Sequence, residues 1–408
     1  MRHPVLLVAS FCVALVLSLL GFMAPAAVLG DIIAAWKLSN AEAGWLGGAL
    51  FAGYIATVPV LTALTDRTDP KRIYLVSAAV AVLGNLGFGF VADGLWSGVL
   101  FRVLTGIGLA GTYMPGLKAL TDQLAPGKPQ QRGATYYTSV FALGSGLSIL
   151  AGGLAGEAAG WNWAFAVAAA GSAGALLIVA AVLPARPPAP RPPGAASALD
   201  FRPVLKDRAV MGYVLSFLGI AWEVFASRIW LVGFFAFAAA AVPGMQGAGQ
   251  GSGWSPAMLA TAVALLGVPA AMGFGELAVR IDRRRLLIGV ASVSAALAVA
   301  IGLTAGVSYE LSVALCLLFG MFSYGRNSAT TAGTISVADP ARRGATLAVQ
   351  AFIGFSGGIL GPLAFGIALD AAGGAGTVSG WRTAACVMAV GPLLSVAALV
   401  LLRPVRAP

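Results

Sequence analysis

Two stretches of the chain share the same four letters, RGAT, two residues in: "QQRGATYYTSVFALGSGLSILAGGLAGEAAG" (130–160) and "ARRGATLAVQAFIGFSGGILGPLAFGIALDAAG" (341–373). A shared RGAT proves little by itself in so biased a composition, but the residues downstream of it agree too. Each stretch continues as a glycine-rich apolar helix and ends on an acid, Glu157 or Asp370, followed by Ala and Gly. Upstream, "LTALTDRTDPKR" (61–72) answers "FGELAVRIDRRR" (274–285), aligning Leu64 with Leu277, Arg67 with Arg280 and Asp69 with Asp282. The landmarks keep their order, so the chain is read as two copies of one unit in the same orientation, that is, as parallel repeats.

Composition names the solvent of these units. The chain is 59% hydrophobic and 10% charged, with mean hydropathy +0.89, where a soluble domain carries about 25% charged residues. Twelve apolar runs are predicted to cross a hydrocarbon core about 30 Å thick. They lie near 5–29, 41–63, 73–92, 96–121, 133–156, 161–183, 209–240, 254–278, 286–306, 309–336, 343–370 and 380–402. "APA" at 24–26 resembles a signal-peptidase site, but the first run exceeds a signal h-region and its removal would leave an odd count of spans. The expected class is an all-α integral membrane protein of two six-helix bundles, residues 1–183 and 209–408. Between them, 184–208, rich in Pro and Arg, reads as a cytoplasmic linker.

The formal charge of +10 does not point to nucleic acid. Of 25 Lys and Arg, Lys37 and Arg382 fall on one side and Arg102, Arg228 and Arg326 inside spans, leaving 20 on the side of both termini. That is the positive-inside bias, so both termini are expected in the cytoplasm, in a bacterial-type inner membrane. Cys12, Cys316 and Cys386 lie in spans and the one histidine is His3. No CxxC, HExxH or Cys/His cluster is present, so no metal site or cofactor is expected.

These residues carry a resemblance. The chain resembles the twelve-helix members of the major facilitator superfamily of secondary transporters. The family's loop signature between spans two and three, G-x-x-x-D-R-x-G-R-[KR]-[KR], reads "TALTDRTDPKR" here, with Asp66, Arg67, Lys71 and Arg72 matching. Its fourth-span pattern R-x-x-x-G-x-G-x-A is met in full by "RVLTGIGLA" (102–110). Its antiporter pattern G-x-x-x-G-P-x-x-G-G is met only in part by "GSGLSILAGG" (144–153), where Ser148-Ile149 replaces Gly-Pro; "GGILGP" (357–362) on span eleven keeps the Gly-Pro. The resemblance implies a cytoplasmic gate made by Asp66, Arg67, Lys71 and Arg72, with a base pairing Asp122 at the end of span four and with Arg280 and Asp282 as counterparts in the second half. It also implies a monomer, and a central cavity lined by spans one, four, seven and ten.

Each mid-membrane charge falls on one of those helices: Arg102 on span four, Glu223 and Arg228 on span seven, Arg326 on span ten. An ionised side chain at membrane depth costs about 2.5–3.5 kcal/mol on insertion scales, so it is expected to face a partner or a cavity. At 1.5 Å per residue Glu223 and Arg326 sit about 21 and 15 Å from the same side, close enough to pair, whereas Glu223 and Arg228 point about 140° apart on a straight helix. The set sums to +2, which suits an anionic substrate because Arg grips carboxylate or phosphate with two parallel donors. Trp222, Trp230, Tyr113, Tyr324 and Asn327 are candidates for shaping the site, with plain packing as the alternative for the aromatics. For Arg102 the alternative is a tie to backbone carbonyls of neighbouring helices. Glu223, the one acid mid-span, is the candidate carrier of a coupling proton. The expected function is secondary transport of a small organic anion with proton coupling. The alternative is drug/proton antiport, suggested by the full "RVLTGIGLA" match. Enzyme and receptor readings find no metal set, nucleotide motif or sizeable soluble domain in the sequence.

Overall fold

The computed structural model describes residues 4–65, 67–184, 201–241, 254–339 and 342–402, and every regular element among them is helical. Hydrocarbon offers the backbone no water, so each crossing segment must bond its own N–H and C=O groups, which an α-helix does. The first span is built from α1 (Pro4–Ser18), a 3-10 turn (Leu19–Gly21), α2 (Ala24–Ala27) and α3 (Leu29–Trp36). Spans two to six are α4 (Asn40–Leu64), α5 (Pro70–Phe90), α6 (Leu95–Thr121), α7 (Lys128–Ala159) and α8 (Trp161–Val182). A short α9 (Arg202–Lys206) precedes spans seven to nine, α10 (Arg208–Ala241), α11 (Pro256–Arg280) and α12 (Arg283–Thr304). Span ten is divided into α13 (Tyr309–Gly325) and α14 (Asn327–Val337); α15 (Arg343–Ala371) and α16 (Val378–Leu401) complete the set.

Eleven described stretches are long and apolar enough, by length and composition, to cross a membrane. The tenth expected span is the exception, because Arg326 ends α13 and begins α14, leaving pieces of 17 and 11 residues. Of the expected linker 184–208, residues 185–200 lie outside the described residues. Its end departs from the expected polar linker: it folds into α9, whose Val204 is buried with Val210, Val214 and Val349. Asp207 then accepts from the N–H groups of Ala209 and Val210 and opens α10.

The repeat seen in the sequence has a physical counterpart at the start of spans three and nine. Asp69 accepts from Lys71 N–H at 2.9 Å and Asp282 from Arg285 N–H at 2.7 Å, each carboxylate capping the helix it precedes. An anion there satisfies donors that have no partner within the helix and complements its dipole.

The chain forms two compact units, Met1–Leu38 with Ala49–Pro193, and Ser39–Gly48 with Gly194–Pro408. Small residues let helices meet backbone to backbone inside each. In the first, a Cβ on Gly106 of α6 would run into the Leu50 carbonyl. In the second, a Cβ on Gly361 of α15 would run into the Trp222 carbonyl of α10. The second unit also contains a carboxylate cap. Asp370, the acid that ends the second glycine-rich stretch, accepts from the backbone N–H groups of Asn40 and Ala41 and from Asn40 Nδ2, at 3.1, 2.7 and 2.7 Å.

Candidate functional site

The second unit holds a charged centre made by spans seven, nine and ten. α10 runs unbroken through Glu223 and Arg228. Arg326 stands at the break between α13 and α14. Gly325 precedes it, pressed so closely on α11 that a Cβ there would lie 2.8 Å from that of Ala270. A guanidinium NH2 of Arg326 bonds Glu223 Oε1, and the hydroxyl of Ser294 on α12 donates to Glu223 Oε2 at 2.8 Å. Glu223 and Ser294 are fully buried and Arg326 is 1% exposed. Both carboxylate oxygens are therefore engaged, while Arg326 Nε is buried with no hydrogen-bond partner.

Arg228 sits apart from that pair, as the helical spacing requires. Its guanidinium carbon lies 4.7 Å from the centre of the Tyr324 ring and 6.0 Å from that of Phe225. A cation over an aromatic face gains electrostatically, more so when desolvated. The Tyr324 hydroxyl is 3.0 Å from Ser227 Oγ, so the ring is held from both sides.

Arg102 belongs to a different arrangement, in the first unit. Span one breaks at 19–23, which frees backbone groups in a buried place. Arg102 is fully buried and donates to the carbonyls of Gly21 (2.8 Å) and Phe22 (2.9 Å). Ser148, also fully buried, donates to the Leu20 carbonyl (2.6 Å) and accepts from the Met23 N–H (2.9 Å). Within the first unit, Arg102 thus ties the broken backbone of span one. Ser148, which departs from the family's Gly-Pro, holds the same break.

The aromatic candidates divide between packing and the centre. The indole N–H of Trp222 donates to the Val387 carbonyl and that of Trp230 to the Pro362 carbonyl, and Trp230 is buried against Phe365 at 5.7 Å between ring centres. Both indoles are thus held by contacts within the second unit. Tyr113 lies in the first unit, stacked on Tyr137 and beside Phe141. Asn327 opens α14 with an exposed side chain. Sequence reasoning missed Ser294 and Ser227, each an ordinary small residue in an apolar run, and met Ser148 only as a departure from the family's Gly-Pro.

Of the expected gate, Asp66 lies outside the described residues. Lys71 is bonded within the first unit. Its ammonium donates to the carbonyls of Ala180 and Leu183, closing the end of α8. Arg67 and Arg72 are exposed. Asp122 accepts from Lys118 one turn earlier on α6 at 3.0 Å. Arg280 pairs with Glu276 one turn earlier on α11 at 2.8 Å, and Asp282 is the cap of α12.

A family model described as Major Facilitator Superfamily matches residues 6–362. The chain belongs to that superfamily. Its helices are those of a multi-pass, twelve-helix membrane transporter. Among curated relatives, the uncharacterized MFS-type transporter Rv1250 of Mycobacterium tuberculosis is 28% identical over 156 residues, 38% of this chain and 27% of that protein. The 3-(3-hydroxy-phenyl)propionate transporter of Escherichia coli is 32% identical over 137 residues, 33% of each chain. The match with these two relatives thus spans 27% and 33% of their own length. A solved bacterial homolog of the human lysosomal transporter Spinster superposes with TM-score 0.79 at 17% identity, covering 98% of this chain and 97% of its own. At that identity the likeness speaks for the fold.

Proposed function

We propose that this superfamily member is a secondary active transporter that moves a small organic anion by alternating access, with Glu223 exchanging the coupling proton. The observation that supports it is the buried Glu223–Arg326–Ser294 group with Arg228 on the same helix as Glu223. With Glu223 ionised these three charged side chains sum to +1. With Glu223 protonated they sum to +2, and Arg326 loses its counter-charge. A carboxylate or phosphate then replaces it, held by two parallel guanidinium donors. When the proton leaves, Glu223 reclaims Arg326 and the anion loses its anchor. Proton and anion therefore bind together and travel in the same direction. The relative whose name specifies an aromatic propionate lends weight to a carboxylate. By the positive-inside bias, the basic loops and both termini belong on the cytoplasmic side of an inner membrane, and the working unit is a monomer.

The test is thermal unfolding of the detergent-purified protein with 3-(3-hydroxyphenyl)propionate, a phosphorylated solute and the lipophilic cation tetraphenylphosphonium. A ligand that binds only the folded state adds about 2.7 kcal/mol at a hundredfold excess over Kd. An anion is expected to give the shift, and Arg228→Gln is expected to remove it with little change in the unliganded protein. A shift from tetraphenylphosphonium alone would instead establish the drug/proton antiport reading.

A further inference from the structure

The second unit contains a groove that the charged centre does not use. It runs along the seam of α11 and α13, encloses about 740 Å³ and is walled by Leu259, Leu266, Val313, Ala314 and Leu317. Both helices start at the same end of the unit, and they touch closely within it. A Cβ on Gly320 of α13 would stand 2.6 Å from the Val263 carbonyl, and one on Gly267 of α11 would stand 2.5 Å from Tyr324 Cβ. The groove is the part of the seam that these contacts do not close.

Its chemistry is graded along its length. The walls are aliphatic, and the polar side chains lining it, Trp254, Tyr309 and Glu310, all stand at the end where the two helices begin. Water in the aliphatic part would lack the two to four polar partners that hold a buried water. Hydrocarbon suits it, and the surrounding bilayer supplies hydrocarbon. Trp and Tyr mark the level of lipid headgroups. Glu310 places a carboxylate at that level, exposed and steadied by the Ser308 hydroxyl at 3.1 Å. A carboxylate there repels a headgroup of net negative charge and attracts an ammonium.

We propose that the groove between α11 and α13 is a site for a resident phospholipid, with one acyl chain along the aliphatic wall and an ammonium-bearing headgroup on Glu310. The same α13 carries Tyr324 and ends at the Arg326 break, so the lipid braces the helix that positions the charged centre.

The probe is a nanodisc of equimolar phosphatidylethanolamine and phosphatidylglycerol, with detergent extraction and native mass spectrometry of the retained lipid. The wild-type protein is expected to keep one phospholipid, phosphatidylethanolamine over phosphatidylglycerol by about fivefold, the upper range of an exposed charge pair. Glu310→Gln lies at an exposed position and leaves the fold intact; it is expected to equalise the two lipids without loss of the retained one. Ala314→Trp fills the groove and is expected to release the lipid altogether, with its folding checked by circular dichroism. Equal retention of both lipids by the wild type, an unchanged preference in Glu310→Gln, or a dimer by light scattering with no lipid retained would each overturn the proposal.

Discussion

Glu223→Gln is expected to abolish proton-driven accumulation in proteoliposomes, with at least a hundredfold loss of initial rate, about 2.7 kcal/mol in the barrier. The amide keeps the shape of the carboxyl and the contact with Ser294, but it neither releases a proton nor neutralises Arg326. The substitution also strands a buried guanidinium, and breaking a buried pair by removing one partner costs about 3–5 kcal/mol of stability. The two effects separate in the double variant Glu223→Gln with Arg326→Gln. Removing both charges is expected to recover most of the lost stability, because a neutral polar pair avoids the uncompensated cation, and transport is expected to stay absent. If the double variant regains stability and also drives uptake from a proton gradient, the coupling role passes from Glu223 to another group.

Arg102→Met is expected to destabilise the folded protein by about 2–6 kcal/mol, two buried carbonyls each losing the Arg102 donor at about 1–3 kcal/mol. The measurement is the midpoint of thermal or urea unfolding in detergent, read beside transport per folded molecule. A structural tie predicts that the surviving folded fraction still binds its anion. Arg102→Lys is expected to recover part of the loss, because an ammonium is a point charge and serves the two carbonyls less well than the planar fork. A variant with normal stability and no anion binding would return Arg102 to the substrate site, where its position on span four first placed it.

The size of the energies involved decides how much could be read from the chain alone. The spans were legible because hydrocarbon tolerates few charges and a crossing needs about twenty apolar residues. The Glu223–Arg326 pair was legible for the same reason, since two unpaired charges at that depth would be costly and the spacing placed them at one level. The break at Arg326 was not legible: "FSYGRNSATT" (322–331) contains no proline and reads as one helix. The serines were hidden by their ordinary habit. Most hydroxyls in these spans bond their own helix one turn back, as Ser172 does to Ala168 and Thr261 to Ala257. Nothing in the letter S marks Ser294 or Ser148 as reaching across to another helix instead. Trp222 and Trp230 were ambiguous because an indole beside a cavity and an indole packed on a helix look alike in sequence. Their N–H groups, aimed at the Val387 and Pro362 carbonyls, separate the two.

The bend in the first span has a consequence for how this branch of the superfamily can vary. Leu20 needs a donor and Met23 needs an acceptor, and one hydroxyl at 148 serves both. The Gly-Pro that antiporters of the family carry at this place offers neither group. Position 148 and the path of residues 19–23 are therefore coupled through these two hydrogen bonds. A lineage that restored glycine at 148 would have to straighten span one or recruit a hydroxyl from elsewhere. The two features should change in step across the descendants of this chain, although 125 residues separate Met23 from Ser148.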